Sequence, residues 1–258
     1  MRKWLGGLGL ALLIGACAGG AIPGIMMSVP APAITAASPN ILAAIVDPRR
    51  PDADRQRDAL RHPAEILAFT GASEGMRIAD IGPGGGYYTR LFSVAVGESG
   101  RVYGVDRAGT AERPRALAAV APLYPNITHL TQGYQGWTIA EPLDAIFISQ
   151  IYHDFYLPQL NIDVPRLNRE MFAALKPGGV LVIIDHAAAV GSDITVTDRL
   201  HRIAQAQVVI DLTAAGFVLE EESQVLRNPA DDHALRVFEG DIRGHTDQFV
   251  LRFRRPAT

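Results

Sequence analysis

Asp80, Gly82, Gly84 and Gly86 fall in one short stretch, Asp80-Ile81-Gly82-Pro83-Gly84-Gly85-Gly86, directly after the apolar pair Ile78-Ala79. A carboxylate at the end of an apolar run, followed by glycines, suits a backbone that must approach a ligand closely. Nucleotide-binding α/β sheets place their ligand at the first strand-to-helix turn, at the carboxyl end of the sheet. A glycine-rich turn would also serve any tight loop. Here a strand precedes it and a helix follows from about Gly86, the context that nucleotide binding requires. A second carboxylate, Asp106, follows the run Val102–Val105 and lies twenty residues beyond Gly86. An acid at the tip of the second strand can accept both hydroxyls of a bound ribose.

A further group of reactive residues follows the fourth apolar run: Ser149-Gln150-Ile151-Tyr152-His153-Asp154. This position is the carboxyl edge, where a second substrate would sit. His153 is the expected base or orienter, and Asp154 either its partner or a turn cap. His186 directly follows the fifth run and either points into the same cleft or is a hydrogen-bonded structural histidine. His201 and Arg202 are placed to close over the site from the loop Ala187–Val196, where Gly191 gives a lid its freedom. His153, His186 and His201, with Asp154 or Asp185, are residue types that bind metals. Their spacing is scattered rather than motif-like, so no metal is expected. Arg227, Asp231 and Asp232 read as a structural ion-pair cluster.

These residues need a scaffold that brings strand ends together. Candidate strands are Arg77–Ile81, Val102–Val105, Ile127–Leu130, Leu143–Ser149 and Val180–Asp185. Helices fall near Tyr87–Val96, Arg113–Leu123 and Pro165–Leu175, with Asp163 as N-cap of the last. Leu167, Met171, Phe172 and Leu175 form one apolar stripe, a core face rather than a cofactor site. Strands alternating with helices imply parallel pairing with helices on both faces. After a helix near Ala204–Ala215, stopped at Gly216, come two more strands, Phe217–Glu221 and Gln248–Arg254. No helix separates these two, so the last strand can run antiparallel. The expected fold class is α/β: a Rossmann-like three-layer sandwich with a seven-stranded, mostly parallel sheet and an antiparallel last strand. Before it, Asp52 to Thr70 reads as a helix that Pro63 kinks or divides.

The bulk numbers narrow the function. The 258 residues are 48% hydrophobic and 20% charged, enough for a substantial core, and the formal net charge is −3. That balance gives no general attraction to nucleic acid. The basic start Arg2-Lys3, the apolar segment Trp4 to Ala16 and the small residues after it form a secretory signal pattern. Ile14-Gly15-Ala16-Cys17 resembles a bacterial lipobox, with Cys17 lipidated. The alternatives are a conventional signal cut after Ala31 or Ala33, or an uncleaved anchor. All three put the folded part outside the cytoplasm, in the periplasm or tied by lipid to a bacterial membrane. Cys17 is the sole cysteine, so the folded part has no disulfide and no thiol nucleophile. Residues 1–21 therefore read as a signal, 22–50 as an Ala/Pro-rich tether and 51–258 as the catalytic domain.

At these motifs the sequence resembles the class I S-adenosylmethionine (SAM)-dependent methyltransferases, over about residues 58–256. Asp80 to Gly86 is similar to their first motif and Val105-Asp106 to their ribose-binding strand end. Leu175-Lys176-Pro177-Gly178-Gly179 is similar to their approach to strand five. Tyr152-His153-Asp154-Phe155, Asp185-His186, His201-Arg202-Ile203 and Leu226 to Asp232 resemble a little-characterised group of exported predicted methyltransferases. The resemblance implies that Asp80, Gly82, Gly84 and Gly86 surround the methionine part of SAM, with Ser149 at the same edge. It also implies that Asp106 holds the ribose. The family's acid after strand three is missing, and Gln132 is the residue available near the adenine. The implied reaction is in-line methyl transfer to a small-molecule or protein acceptor. The other readings are a non-catalytic exported binding lipoprotein on this fold and a nicotinamide-dependent oxidoreductase. The latter needs a last glycine that Gly82-Pro83-Gly84-Gly85-Gly86-Tyr87-Tyr88 lacks.

Overall fold

In a computed structural model the described residues are 38–108 and 115–257. The expected signal, Cys17 and most of the expected tether lie outside them, as does Pro114. Among the described residues no helix is long and apolar enough to cross a membrane.

The described chain opens with helix α1 (Pro39–Val46). Composition alone assigns these charge-free residues to the tether. In the structure Ile41 and Ala44 are buried, and the helix packs on α5 (Tyr87–Val96). The Asn40 side-chain amide donates to Ala72 O at 3.3 Å and Ala95 O at 2.7 Å, fixing the helix to the domain. The expected helix over 52–70 is three short ones: α2 (Asp52–Arg55), α3 (Asp58–Arg61) and α4 (Pro63–Thr70). Pro63 occupies the first turn of α4, where its missing N–H is harmless, and His62 turns the chain with φ 44°.

The seven strands follow the sequence expectation closely. They are β1 (Arg77–Ile81), β2 (Arg101–Val105), β3 (Ile127–Leu130), β4 (Leu143–Ser149), β5 (Leu175–His186), β6 (Val218–Ser223) and β7 (Gln248–Arg254). Their order is β3-β2-β1-β4-β5-β7-β6, with β7 antiparallel to both its neighbours and the other pairs parallel. β5 starts earlier than expected. Leu143 pairs with Leu175 but Ala145 with Val180, so Lys176-Pro177-Gly178-Gly179 is a bulge within the strand rather than a turn before it.

Alternation along the strands builds two cores. Ile78, Val102, Phe147 and Val182 face one side, with Leu91 and Phe92 of α5. Ile81, Val105, Ile146 and Ile183 face the other, with Leu167 and Met171 of α7 (Val164–Ala174) and Val208 and Leu212 of α9 (Gln205–Ala214). The Asp163 carboxylate caps α7 by accepting from Arg166 N–H. The short α6 (Leu117–Val120) covers the β2 side; α8 (Val196–Leu200) leads into His201.

Because α1 buries a large side chain, Ile41→Ala should cost about 2–5 kcal/mol. Thermal melting should fall by roughly 5–15 °C; a tether would give no change.

Candidate functional site

The strand order reverses between β1 and β4, so connections leave these two neighbours in opposite directions and a crevice opens at their carboxyl ends. The residues after β1 and β4 line a cleft there of about 200 Å³, roofed by α3. Asp80, Gly82, Gly84 and Ser149 converge on it, together with Arg57, Arg61, Tyr87, Tyr88, Gln150 and Ile151. Gln150 lies within the stretch Ser149 to Asp154 read from the sequence, whereas nothing in the sequence pattern marks Arg61, whose neighbours in the cleft lie far along the chain.

The glycines divide into two roles. A Cβ on Gly82, which has φ 70°, would stand 2.0 Å from Ile151 Cδ1, so the absent side chain lets the loop after β4 lie directly on the turn. Gly84 and Gly85 leave open space instead, exposing backbone. Gly86 does not face the cleft. It is the residue before α5, and a Cβ there would meet Leu117 Cδ1 at 2.9 Å. Its role is to let α6 pack on the turn.

Asp80 is buried, and its Oδ2 accepts from Thr89 Oγ1 at 2.6 Å. Burial raises its pKa to about 7, against the Thr89 hydrogen bond; the Asp106 carboxylate adds to the rise and the Arg61 charge opposes it. This carboxylate gains from any cation brought into the cleft. Asp106 stands at the end of β2 as expected, buried and outside the residues that line this cleft. Its Oδ1 accepts from Arg107 N–H at 2.8 Å, with Arg115 Nε at 3.5 Å and His129 Nε2 at 3.8 Å from its carboxylate. Gln132 is exposed, and its Oε1 accepts from Thr138 N–H at 3.0 Å. The structure therefore does not bring Gln132 to the cleft, because this amide holds its own loop.

The histidines form a neighbouring cluster. His153 is buried, in a short 3-10 turn after β4. Its Nδ1 donates to Asp185 Oδ1 at 2.7 Å, and its Nε2 lies 3.2 Å from Asp154 Oδ1. Burial alone would lower its pKa, but Asp185 and Asp154 together outweigh it and raise the value to about 10. A ring set between two carboxylates suits the orienting member of the two expected roles. Asp154 is the expected partner; it also receives His201 Nδ1 at 3.2 Å, and its pKa is lowered by the two histidines despite burial. Asp185, fully buried, additionally accepts from the backbone N–H groups of His153 and His186 at 2.7 and 2.8 Å. His186 behaves oppositely. Burial lowers its pKa to about 4, and its Nδ1 is hydrogen-bonded to Thr246 Oγ1 at 2.7 Å.

A thread of side chains joins His186 to the cleft. Arg61 Nη2 donates to Gln150 Oε1 at 3.1 Å, and Gln150 Nε2 to Gln248 Oε1 at 3.0 Å. Gln248 Nε2 donates to Thr246 Oγ1 at 3.4 Å, completing the path. Gln150 holds a left-handed φ of 62° while its N–H donates to Ile184 O, a strained conformation of the kind found at functional sites. The expected ion-pair cluster is present in part: Arg202 forks onto Asp231 at 2.8 and 3.0 Å, both buried. Arg227 pairs with Asp247 at 3.3 Å.

A family model described as protein-L-isoaspartate(D-aspartate) O-methyltransferase matches residues 57–213. The chain belongs to this family. This family member is 34% identical over 116 residues to protein-L-isoaspartate O-methyltransferase 1 of Arabidopsis thaliana, covering 42% of this chain and 45% of the relative. It is 35% identical over 113 residues to a 2-phytyl-1,4-naphtoquinone methyltransferase of Thermosynechococcus vestitus, covering 43% and 47%. The chain thus spans about half the length of the relatives it matches. A SAM-dependent methyltransferase from Aquifex aeolicus shares the fold, with TM-score 0.54 at 22% identity over 80% of this chain and 98% of that one. The family member is a class I methyltransferase in architecture, and its cofactor is SAM. The cleft fits the methionyl end of that cofactor: it offers a buried carboxylate, open glycine backbone and room smaller than a whole drug-sized ligand needs.

Two substitutions test these charges. Asp80 has a folded pKa above its unfolded value, so its contribution to stability is full below about pH 4 and is lost as pH rises through about 7. Asp80→Asn should therefore raise the melting temperature of the ligand-free protein by a few degrees at pH 8 and by less at pH 5. The raised His153 pKa gives stability that is full below about pH 6.5 and fades towards pH 10. Asp185→Asn breaks that buried pair, should cost about 3–5 kcal/mol, and should flatten the decline between pH 6.5 and 10.

Proposed function

We propose that this protein transfers the methyl group of SAM to a carboxylate oxygen of a protein acceptor, an L-isoaspartyl or D-aspartyl residue. The observation that carries the reading is the convergence of Asp80, Gly82, Gly84 and Ser149 on the crevice between β1 and β4. In this assignment Asp80 and the open glycine backbone hold the methionyl end. Asp106, at the end of β2, takes the ribose hydroxyls after releasing Arg115. The bound sulfonium supplies an electrophilic methyl carbon.

The protein's own part is positioning. In-line displacement needs the acceptor oxygen held about 3 Å from that carbon, and such alignment supplies much of the acceleration. A carboxylate acceptor is ionised near neutrality and needs no proton removed. That agrees with His153, whose two nitrogens are both committed to carboxylates. His153, with Asp185 behind it, would orient Asp154 and the loop that bears Ser149. His186 serves the same edge through Thr246. The relatives named for isoaspartyl residues support this acceptor; the naphthoquinone-named relative makes a ring acceptor the contrasting outcome. The Arg2-Lys3 start and apolar run support action outside the cytoplasm.

Incubation with methyl-labelled SAM and an isoaspartyl peptide should yield an alkali-labile ester that releases volatile labelled methanol. The matched L-aspartyl peptide should yield little. Retained binding of S-adenosylhomocysteine with no ester on either peptide would reject the carboxylate acceptor.

A further inference from the structure

The contacts of the histidine cluster fall into two kinds. A charge-assisted N–H···O contact closes to about 2.7–2.9 Å, and His153 Nδ1 meets Asp185 Oδ1 in this way at 2.7 Å. The contacts around Asp154 Oδ1 are longer: His153 Nε2 and His201 Nδ1 both stand 3.2 Å from that one oxygen. Two imidazole nitrogens and a carboxylate oxygen thus lie within 4.8 Å of one another. Ligand atoms on one first-row transition ion, with bonds of about 2.0–2.1 Å, stand roughly 3.0–3.4 Å apart in octahedral or tetrahedral geometry. The two contacts to Asp154 have the length of such edges. His201 lies at the rim with its side chain 15% exposed, so a small turn of its ring closes the third edge.

His153 also has the support that ligating histidines have. Its other ring nitrogen is held by a buried carboxylate, which fixes the ring and leaves Nε2 to face the cluster. Asp185 is itself held by the backbone N–H groups of His153 and His186. The three residues come from two segments, His153 and Asp154 from the turn after β4 and His201 from the end of α8, so their spacing along the chain shows no metal motif. On the outer side Arg236 Nη2 lies 2.9 Å from His201 Nε2. In that contact Nε2 accepts and the ring proton sits on Nδ1. An ion on Nδ1 moves this proton to Nε2, and the exposed Arg236 side chain must turn away. Arg236 is therefore a competitor of the ion.

We propose that His153 Nε2, Asp154 Oδ1 and His201 Nδ1 bind one divalent transition-metal ion of the zinc class, with water completing its coordination. Imidazole nitrogens select such ions over magnesium and calcium, which take oxygen ligands. On binding, the His153 Nε2 proton leaves to solvent. The two carboxylates that flank this ring attract the ion as they attract the proton it replaces. Asp154 is part-exposed, which gives water access to the remaining position. The ion ties the end of α8 to the turn after β4, across the edge where the sheet presents its reactive residues. None of the three ligands lines the cleft between β1 and β4, so the site does not depend on the cofactor or acceptor assigned above.

Titration of the chelator-stripped full chain with zinc chloride, in competition with a chromophoric chelator, tests the site. Wild type should bind zinc saturably, magnesium should not displace it, and melting should rise by several degrees at saturation. His201→Ala and Asp154→Asn should each weaken zinc at least about a hundredfold, the upper end of what losing a partner behind a ligand costs. Their melting without zinc shows whether they fold, and neither should gain stability when it is added. His62→Ala, which removes an exposed histidine elsewhere, should leave zinc affinity unchanged. Arg236→Ala, which touches no ligand atom, should bind zinc at least as tightly as wild type. A wild-type chain that binds no zinc would overturn the proposal, as would unchanged affinity in both His201→Ala and Asp154→Asn. Weaker binding in Arg236→Ala would overturn it too.

Discussion

Two strands that lie side by side, β1 and β4, send their connections to opposite sides, and a crevice opens at their ends. That constraint is topological. It arises because β2 and β3 build outward from one flank of β1 while β5, β7 and β6 build outward from β4. The cores on the two faces then fix the strand ends rigidly, since Ile78 and Phe147 are buried on one side and Ile81 and Ile146 on the other. Loops leaving a rigid edge can hold functional groups within the tolerance that chemistry demands. Asp80 and Ser149, far apart in sequence, become neighbours through β-pairing alone.

Charge is distributed unevenly over this edge. Around His153 the ring donors find acceptors: Asp185 binds two backbone N–H groups and one ring, and Asp154 takes two rings. Such a network is rigid, and its histidine is poorly suited to exchange protons near neutrality. In the adjacent cleft the opposite holds. Asp80 and Arg61 are enclosed by apolar and aromatic groups but lack counter-charges, which costs stability in the ligand-free protein. Proteins retain groups of this kind where a ligand restores the balance. The contrast separates a part of the molecule built to hold still from a part built to receive.

Sequence pattern reveals the sheet well because each strand is a compact apolar run bounded by turn residues. β3, β4 and β7 keep their expected bounds, and α5 does too. Where the reading diverges, the cause is local. Ala and Pro around 39–46 resemble a linker, yet Ile41, Ala44 and Asn40 share one face and dock. Lys176 to Gly179 has the composition of a turn, but a neighbouring strand absorbs it as a bulge. For the site, residues at strand ends are legible because topology delivers them: Asp80, Gly82, Gly84 and Ser149 reach one cleft. Gly86 and Gln132 are absorbed by packing and by their own loop. His153 was legible as a reactive type, but its protonation was not, because Asp185 approaches from 32 residues away. Arg61 carries no motif at all; only the fold brings it to the cleft.

The position of β7 has a consequence for how the molecule comes into being. This last strand is inserted between β5 and β6, and β6 meets the sheet only through it. Until the segment ending at Arg254 has left the ribosome, β5 presents an unsatisfied edge and β6 has nothing to pair with. The sheet is thus closed from its C-terminal end, by contacts distant in sequence, and such closure is slow. From the time β5 is made until β7 joins it, the chain carries an open strand edge that the finished sheet covers.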